Sequence, residues 1–318
     1  MDKRPVLVAT ADQDPTADMV IEELDRRRVP VVRFDPGRMF PAPGTLSAHT
    51  SARGWGGTMT IGARHVDLGA VRAYYHRRPS RHLLTGDDQA ERFAAHETWR
   101  GLGGVLGALP GCLYVSHPLA IGRAEFKPTQ LAIAGYLGLR VPATLITNDV
   151  DEAKAFCADH TAIYKPLHAH AYTVGNRPAG IYAAPVTAGE LTDAVRACPH
   201  LFQERIDKAA DVRVTVVGDR VFGARITSPP GVLDWRSDYA NLAYDEIGCP
   251  AEVITGVQHM LSQFGLLFGA FDFAVTPAGE WWFLELNPNG QWAWVEDQTG
   301  LPIASALADL LQHGETRT

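Results

Sequence analysis

Apolar runs of strand length alternate with amphipathic segments along the first third of the chain. VLVAT (6–10) is a short continuous apolar run and VPVVRFD (29–35) a second. Between them Met19, Val20 and Leu24 recur at helical spacing, with Thr16 placed to cap that helix. This β-α-β opening predicts a parallel sheet. TLSAHTSARGWGGTMTIGARHVDL alternates and turns as a hairpin does, and AVRAYYHRRP is a further strand ending in basic residues. QAERFAAHETWRGLGGVLGAL predicts a helix, CLYVSHP a strand, and RAEFKPTQLAIAGYLGL another helix with Pro128 in its first turn.

A first boundary falls near residue 120. Beyond VPATLITN comes a helix in DVDEAKAFCADH, with Asn148 as its expected N-cap. A strand TAIYKPL, a loop HAHAYTVGNRPAG and a strand IYAAPV follow. The capping box Thr187-x-x-Glu190 should open a helix, and HLFQERI closes this unit as a strand. From residue 207 the pattern gives a hairpin turning at Gly218-Asp219, a helix EVITGVQHMLSQFG, a second hairpin GAFDFAVTPAGEWWFLELNPNG and a terminal helix PIASALADLLQHG. The expected organisation is an α/β domain over 1–120, an α+β unit over 121–206 and a C-terminal unit over 207–318, with no internal repeat.

Composition narrows the function classes. With 318 residues the chain is long enough for two or three packed units. A net charge of −7 argues against a general nucleic-acid binder, which would carry a basic stripe. No run reaches membrane-span length, and the N-terminal apolar run is too short for a signal peptide. Cys112, Cys157, Cys198 and Cys249 are scattered without a C-x-x-C pair, as in a reduced cytoplasmic protein. The first strand lacks G-x-G-x-x-G, which argues against a dinucleotide site there.

FLELNPNG (283–290) interrupts a strand pattern with polar residues. Strand alternation puts Glu285 and Asn287 on one face, together with Phe283. If Thr276–Gly279 form the turn, Asp272 sits opposite Phe283 and diagonally beside Glu285. Two carboxylates and an amide are hard oxygen ligands that suit magnesium, which keeps waters and takes phosphate oxygens from substrate. Lys165, at a strand exit before Pro166, and Lys127, at a helix start where its charge is unfavourable, are candidate phosphate contacts. The loop 168–180 could close over phosphates; His168 and His170 within it lack a third ligand for a metal site. Gln203 and Glu204 end an apolar strand whose backbone, from Glu204 through Arg205 to Ile206, suits an adenine edge, with Asp211 placed for ribose hydroxyls. Arg213 and Arg225, on successive strands, are available for phosphate or acyl-phosphate charge.

The ordered set Lys127, Lys165, Gln203-Glu204, Asp211, Arg213, Arg225, Asp272, Glu285, Asn287 resembles the ATP-grasp ligases over roughly residues 120–310. More narrowly, FDFAVTPAGEWWFLELNPNGQWAWVE, with DWR at 234–236 and YYHRRP at 74–79, resembles the graspetide (microviridin-type) peptide maturases. The resemblance implies an ATP-grasp fold behind an N-terminal α/β domain, with ATP and Mg²⁺ as cofactors. Asp272, Glu285 and Asn287 would hold the metal and the two lysines the phosphates. The implied reaction activates Asp or Glu side chains of a ribosomal precursor peptide as acyl phosphates and joins them to Ser or Thr hydroxyls or Lys amines. Arg77, Arg78, Arg81 and Arg236 would contribute to a basic groove for that acidic peptide, and a homodimer is compatible. Two rivals remain: a ligase acting on a small acid or a protein C-terminus, and a non-catalytic nucleotide-dependent peptide binder.

Overall fold

The computed structural model describes residues 2–40, 44–52, 54–80, 88–168, 172–174, 177–229, 231–237 and 241–314. The chain opens with β1 (Val6–Ala9), α1 (Pro15–Arg26) and β2 (Val31–Phe34). A meander of β3 (Gly44–Ser51), β4 (Gly54–Ile61) and β5 (Arg64–Asp67) follows, three antiparallel strands where the alternation suggested a hairpin. β6 (Ala73–His76), α2 (Gln89–Leu106) and β7 (Leu113–Val115) complete a parallel sheet in the order β2-β1-β6-β7. Asp14, not Thr16, caps α1: its carboxylate accepts the backbone N–H groups of Thr16 and Ala17, with Pro15 in the first turn. A carboxylate at that position answers the helix dipole as well as the orphan amides.

α3 (Pro118–Ala124) and α4 (Lys127–Tyr136) lead to a second, antiparallel sheet. Its elements are β8 (Thr144–Thr147), α5 (Val150–Asp159), β9 (Ala162–Lys165), the hairpin β10 (Tyr172–Val174) and β11 (Arg177–Ala179), β12 (Ala184–Val186) and β13 (His200–Glu204). The sheet order is β12-β9-β13-β8, with β10 and β11 paired apart. Asp149 caps α5 one residue beyond the expected Asn148. The Thr187/Glu190 box is present but closes a single 3₁₀ turn over Ala188–Glu190, because Leu191 is already extended; Thr192 then caps a second short turn.

The third sheet holds β14 (Ala210–Val217), β15 (Arg220–Thr227), β16 (Ala243–Glu246), β17 (Phe268–Val275) and β18 (Trp281–Asn287) in the order β16-β15-β14-β17-β18. α6 (Ala251–Phe264) precedes β17, and α7 (Ala293–Thr299) and α8 (Ile303–His313) follow β18. Gly218, at φ 61°, makes the tight β14–β15 turn foreseen at Gly218-Asp219.

The two faces of this sheet do different work. On one, Val212, Val214, Val216, Phe271, Phe273, Phe283 and Leu286 pack against Val253, Val257, Met260 and Leu261 of α6. Each fully buried phenylalanine there contributes roughly 2 kcal/mol of apolar burial. On the other, Val217, Phe268 and Ala270 join Val6, Val8 and Tyr75 of the parallel sheet and the apolar side of α8 in one continuous core. The remainder of that second face is polar, and it is where the charged residues collect. Among the described residues no helix is long and apolar enough to cross a membrane.

Candidate active site

The hairpin β17–β18 carries the acidic pair, and a β-bulge brings its members together. Val275 pairs with Trp281, Ala274 with Trp282 and Phe273 with Phe283, but the next pair is Asp272 with Glu285. Without the extra residue Leu284, Glu285 would face the other side of the sheet. The bulge restores the parity and sets the carboxylates directly opposite each other. The sequence-based placement of Asp272 opposite Phe283 is thereby corrected, and so is the shared face of Phe283 and Glu285. Phe283 and Leu286 lie in the core, while Glu285 and Asn287 lie on the polar face.

Each acid is held by cations. Arg213, across from Asp272 on β14, grips it with Nε at 2.7 Å from Oδ1 and a second nitrogen at 3.2 Å from Oδ2. Its remaining terminal nitrogen donates to the Gln291 carbonyl at 2.9 Å. The Arg213 guanidinium also lies 5.7 Å from the ring centres of both Trp235 and Trp294. Glu285 accepts Lys127 at 3.1 Å and Arg236 at 3.2 Å; Arg236 is in turn held by Asp234. Burial raises the Asp272 carboxyl above its ordinary range, against the pull of Arg213. Burial acts on Glu285 too, but Lys127, Arg236 and Lys165 together hold it well below that range.

Asn287 Nδ2 donates to Asp272 Oδ2 at 3.2 Å and to Glu285 Oε1 at 3.4 Å. With a cation between the carboxylates, a half-turn of that amide would present its oxygen instead. Two buried carboxylates and one amide within reach of each other fit magnesium, which leaves its other positions to water and phosphate. Among the described residues no group of three or more His, Cys, Asp or Glu side chains converges to hold a metal; the set here has two carboxylates and an amide.

The second sheet faces this hairpin. Lys165 is buried at the end of β9 and donates to Gln203 Oε1 at 3.1 Å; Gln203 donates to Thr144 at 2.9 Å. Burial pulls the Lys165 ammonium down to about 8, with Glu285 opposing. Lys127 reaches across to the Pro166 carbonyl at 3.0 Å, so the α4 start and the β9 exit meet at Glu285. A narrow cavity of about 60 Å³ runs behind them, lined by Gln203, Glu204, Arg205, Ile206, Asp211 and Leu284 among others. The amides of Glu204 and Arg205 already donate to the Ala143 and Thr161 carbonyls. Asp211 is gripped by Lys208 at 2.6 and 2.7 Å, yet burial still raises its carboxyl.

The larger cleft, about 1270 Å³, opens from this floor past Trp294, Arg78, His168 and Tyr182 to Trp99 on α2. Several expected residues stand elsewhere. Arg225 pairs with Val212, on the face opposite Arg213, and is exposed; alternation along β15 carries it away from the site. Arg77 is 1 % exposed and belongs to the interior, whereas Arg78 lines the cleft and Arg236 sits against Glu285. Arg81 and His170 lie outside the described residues, as do 169–171 and 175–176 of the expected flap.

Sequence reading missed Lys208 and Gln130, and took Asp234 only as part of the DWR motif without a role. Gln130, on α4, is 2 % exposed and clamps β18 from behind. Its Nε2 donates to the Leu286 and Ala124 carbonyls, and its Oε1 accepts the Leu286 N–H. A buried Gln at helical spacing among apolar neighbours was the available signal. Gln130→Leu should strand those backbone groups and destabilise the fold by about 3 kcal/mol, measured by denaturant unfolding. Just beyond β18, position 290 holds glycine where a Cβ would lie 2.5 Å from that of Ala270.

Solved structures share this fold over almost the whole chain. Macrocyclase MdnC from Microcystis aeruginosa, bound with its precursor peptide, matches with a TM-score of 0.85 and 27% identity over 98% of this chain and 100% of that one. The fold is that of the ATP-grasp peptide ligases. A RiPP-associated ATP-grasp ligase from Chryseobacterium gregarium, in complex with ADP and a leader and core peptide, matches with a TM-score of 0.88 and 26% identity over 99% and 98% of the two chains. Among curated proteins, a glutathione synthetase from Rhodopseudomonas palustris is 29% identical over 173 residues, 51% of this chain. The match spans 53%, about half, of that relative's length. No family model matches.

Proposed function

We propose that this chain is an ATP-dependent ligase that closes side-chain links within a precursor peptide. The observation that carries the reading is the Asp272–Glu285–Asn287 set, with Arg213, Lys127 and Lys165 around it, where the narrow cavity meets a cleft large enough for a peptide. Whole-chain similarity to two peptide-bound ligases supports the choice of substrate. The division into 1–120, 121–206 and 207–318 serves this reading as entry domain, lid and catalytic sheet.

ATP would seat its base in the narrow cavity. There Ile206 would offer its amide and Glu204 its carbonyl, the Glu204 and Arg205 amides being already occupied. Asp211, oriented by Lys208, would take the ribose. Lys127 and Lys165 would contact phosphates as point charges. Magnesium held by Asp272, Glu285 and Asn287 would neutralise phosphate charge.

An Asp or Glu carboxylate oxygen of the peptide attacks the γ-phosphorus and ADP leaves. A Ser or Thr oxygen or a Lys nitrogen then attacks the acyl carbon, phosphate departs, and the attacking group loses its proton. Arg213, steadied by Asp272 and Gln291, would offer its charge to the oxyanion and the phosphoryl oxygens. The hairpin β10–β11 is the element that would close over the phosphates.

The buried Lys165 adds a pH dependence. Its charge is present below about 8 and is lost as pH rises through that value. Affinity for Mg·ATP, measured by calorimetry, should be flat from pH 6 to 7 and fall above about 8. Lys165→Met should bind weakly throughout and remove that upper limb. Incubation of the chain with Mg·ATP and a candidate precursor peptide tests the reading: ADP release coupled to loss of water from the peptide is expected, and ADP release only with free amino acids would transfer the chain to the small-acid ligases.

A further inference from the structure

Gln291 carries a constraint that its place in the cleft makes consequential. It follows the Asn-Pro-Asn-Gly turn at the end of β18 and is exposed toward the large cleft. Its side-chain oxygen is nevertheless engaged from behind. Arg77 donates a terminal nitrogen to Gln291 Oε1 at 2.5 Å, and Thr16 donates its hydroxyl to the same atom at 2.6 Å. Both partners belong to the N-terminal domain, and both are buried, at 1 % and 2 % exposure. Arg77 also donates to the Asn289 carbonyl at 2.5 Å and lies 3.5 Å from Asp14, the residue that caps α1.

This network decides which way the amide points. A guanidinium has donors only, so the atom facing Arg77 must be the oxygen. The Nε2 group is therefore turned toward the cleft with its two N–H bonds. The main-chain oxygen of the same residue receives Arg213, which ties the amide to the arginine that grips Asp272.

We infer that Gln291 is a substrate-orienting donor, whose N–H groups bond an oxygen of the peptide side-chain carboxylate undergoing activation, and that Arg77 and Thr16 are positioning residues that fix its orientation. The inference rests on the peptide-ligase reading. It explains why a buried arginine of the N-terminal domain is directed at a cleft residue. An amide donor also suits this acceptor: it binds a carboxylate or its acyl phosphate without adding charge beside Arg213.

Gln291→Glu keeps an oxygen for Arg77 and Thr16 but removes the donor. It should lower kcat/KM for the precursor peptide about 100-fold, while the KM for ATP stays within about twofold. Gln291→Met should show the same split, without introducing a charge. Thr16→Val leaves the cleft untouched and loosens only the amide; a loss of about threefold to tenfold, again confined to the peptide parameters, is expected. Peptide kcat/KM within twofold of wild type in Gln291→Glu and Gln291→Met would overturn the inference.

A second readout does not depend on turnover. The Gln291 side-chain amide, assigned by its disappearance in Gln291→Glu, should be as ordered as backbone by ¹⁵N relaxation, with an order parameter near about 0.8, and become mobile in Thr16→Val. A value below about 0.6 in the wild-type chain would overturn the inference whatever the kinetics. If wild type modifies no peptide yet the amide is ordered, the peptide-ligase reading fails and the fixed orientation stands.

Discussion

Glu285→Gln should abolish peptide-dependent ADP release, with a loss of at least about 10³-fold, or about 4 kcal/mol of barrier. The substitution keeps the shape of the side chain and one oxygen. It removes the charge that sets Glu285 apart: its carboxylate is held well below the ordinary range by Lys127, Arg236 and Lys165. The same geometry predicts a cost to the fold. Lys127 at 3.1 Å and Arg236 at 3.2 Å lose their shared anion, and neutralising one member of a buried ion cluster costs about 3 kcal/mol. A metal ligand read from sequence alone suggests activity loss with an intact fold; the surrounding cations change that expectation. Asn287→Ala is the companion variant. It removes two long hydrogen bonds and no charge, so unfolding should move by about 1 kcal/mol or less while turnover still collapses. Urea unfolding and single-turnover ADP release separate the two effects. Wild-type turnover in either variant would remove the metal assignment.

Arg213→Lys should lower kcat by about 10²-fold to 10³-fold with ATP affinity nearly unchanged. Arg213 makes three directed hydrogen bonds at once, two to Asp272 and one to the Gln291 carbonyl, and its guanidinium lies 5.7 Å from the ring centres of both Trp235 and Trp294. A lysine ammonium is a point charge without the planar fork, so it can replace one of these but not the set. The positive charge remains, and with it most of the compensation for the buried Asp272. The loss should therefore appear in the chemical step rather than in folding or nucleotide binding. Rapid-quench measurement of ADP formation, alongside calorimetric Mg·ADP binding, reads both. A pure rise in the KM for ATP would assign Arg213 to nucleotide binding instead.

The parts of this molecule legible in its sequence are those governed by local pattern. The parallel opening sheet, the Gly218 turn, α4 starting at Lys127 and the acidic hairpin all follow from apolar periodicity and turn chemistry. What escaped depends on register and on contacts distant in sequence. Counting back from the TPAGE turn cannot reveal a bulge at Leu284, so Asp272 was set opposite Phe283, although the two acids still shared a face. Arg225 shows the converse. A hairpin puts neighbouring arginines on adjacent strands, but pairing with Val212 turns Arg225 to the opposite side from Arg213. Lys208 beside Asp211 and Asp234 beside Arg236 are close in sequence, yet their value appears only when the second sheet brings Lys165 and Gln203 to the same cavity. Arg77 is the clearest case. Within YYHRRP it reads as one of several groove arginines, and only the tertiary fold turns it inward to Gln291 while Arg78 faces the cleft.

The measurement that tests the central claim most directly is intact-mass and fragmentation spectrometry of the candidate precursor peptide after incubation with the chain, ATP and Mg²⁺. The account predicts loss of one water for each link formed, one ADP released per link, fragmentation that skips the residues enclosed by each ring, and no change when ATP is omitted or Glu285→Gln replaces the wild-type chain. A peptide of unchanged mass, with ADP released only when free amino acids or small acids are supplied, would contradict it.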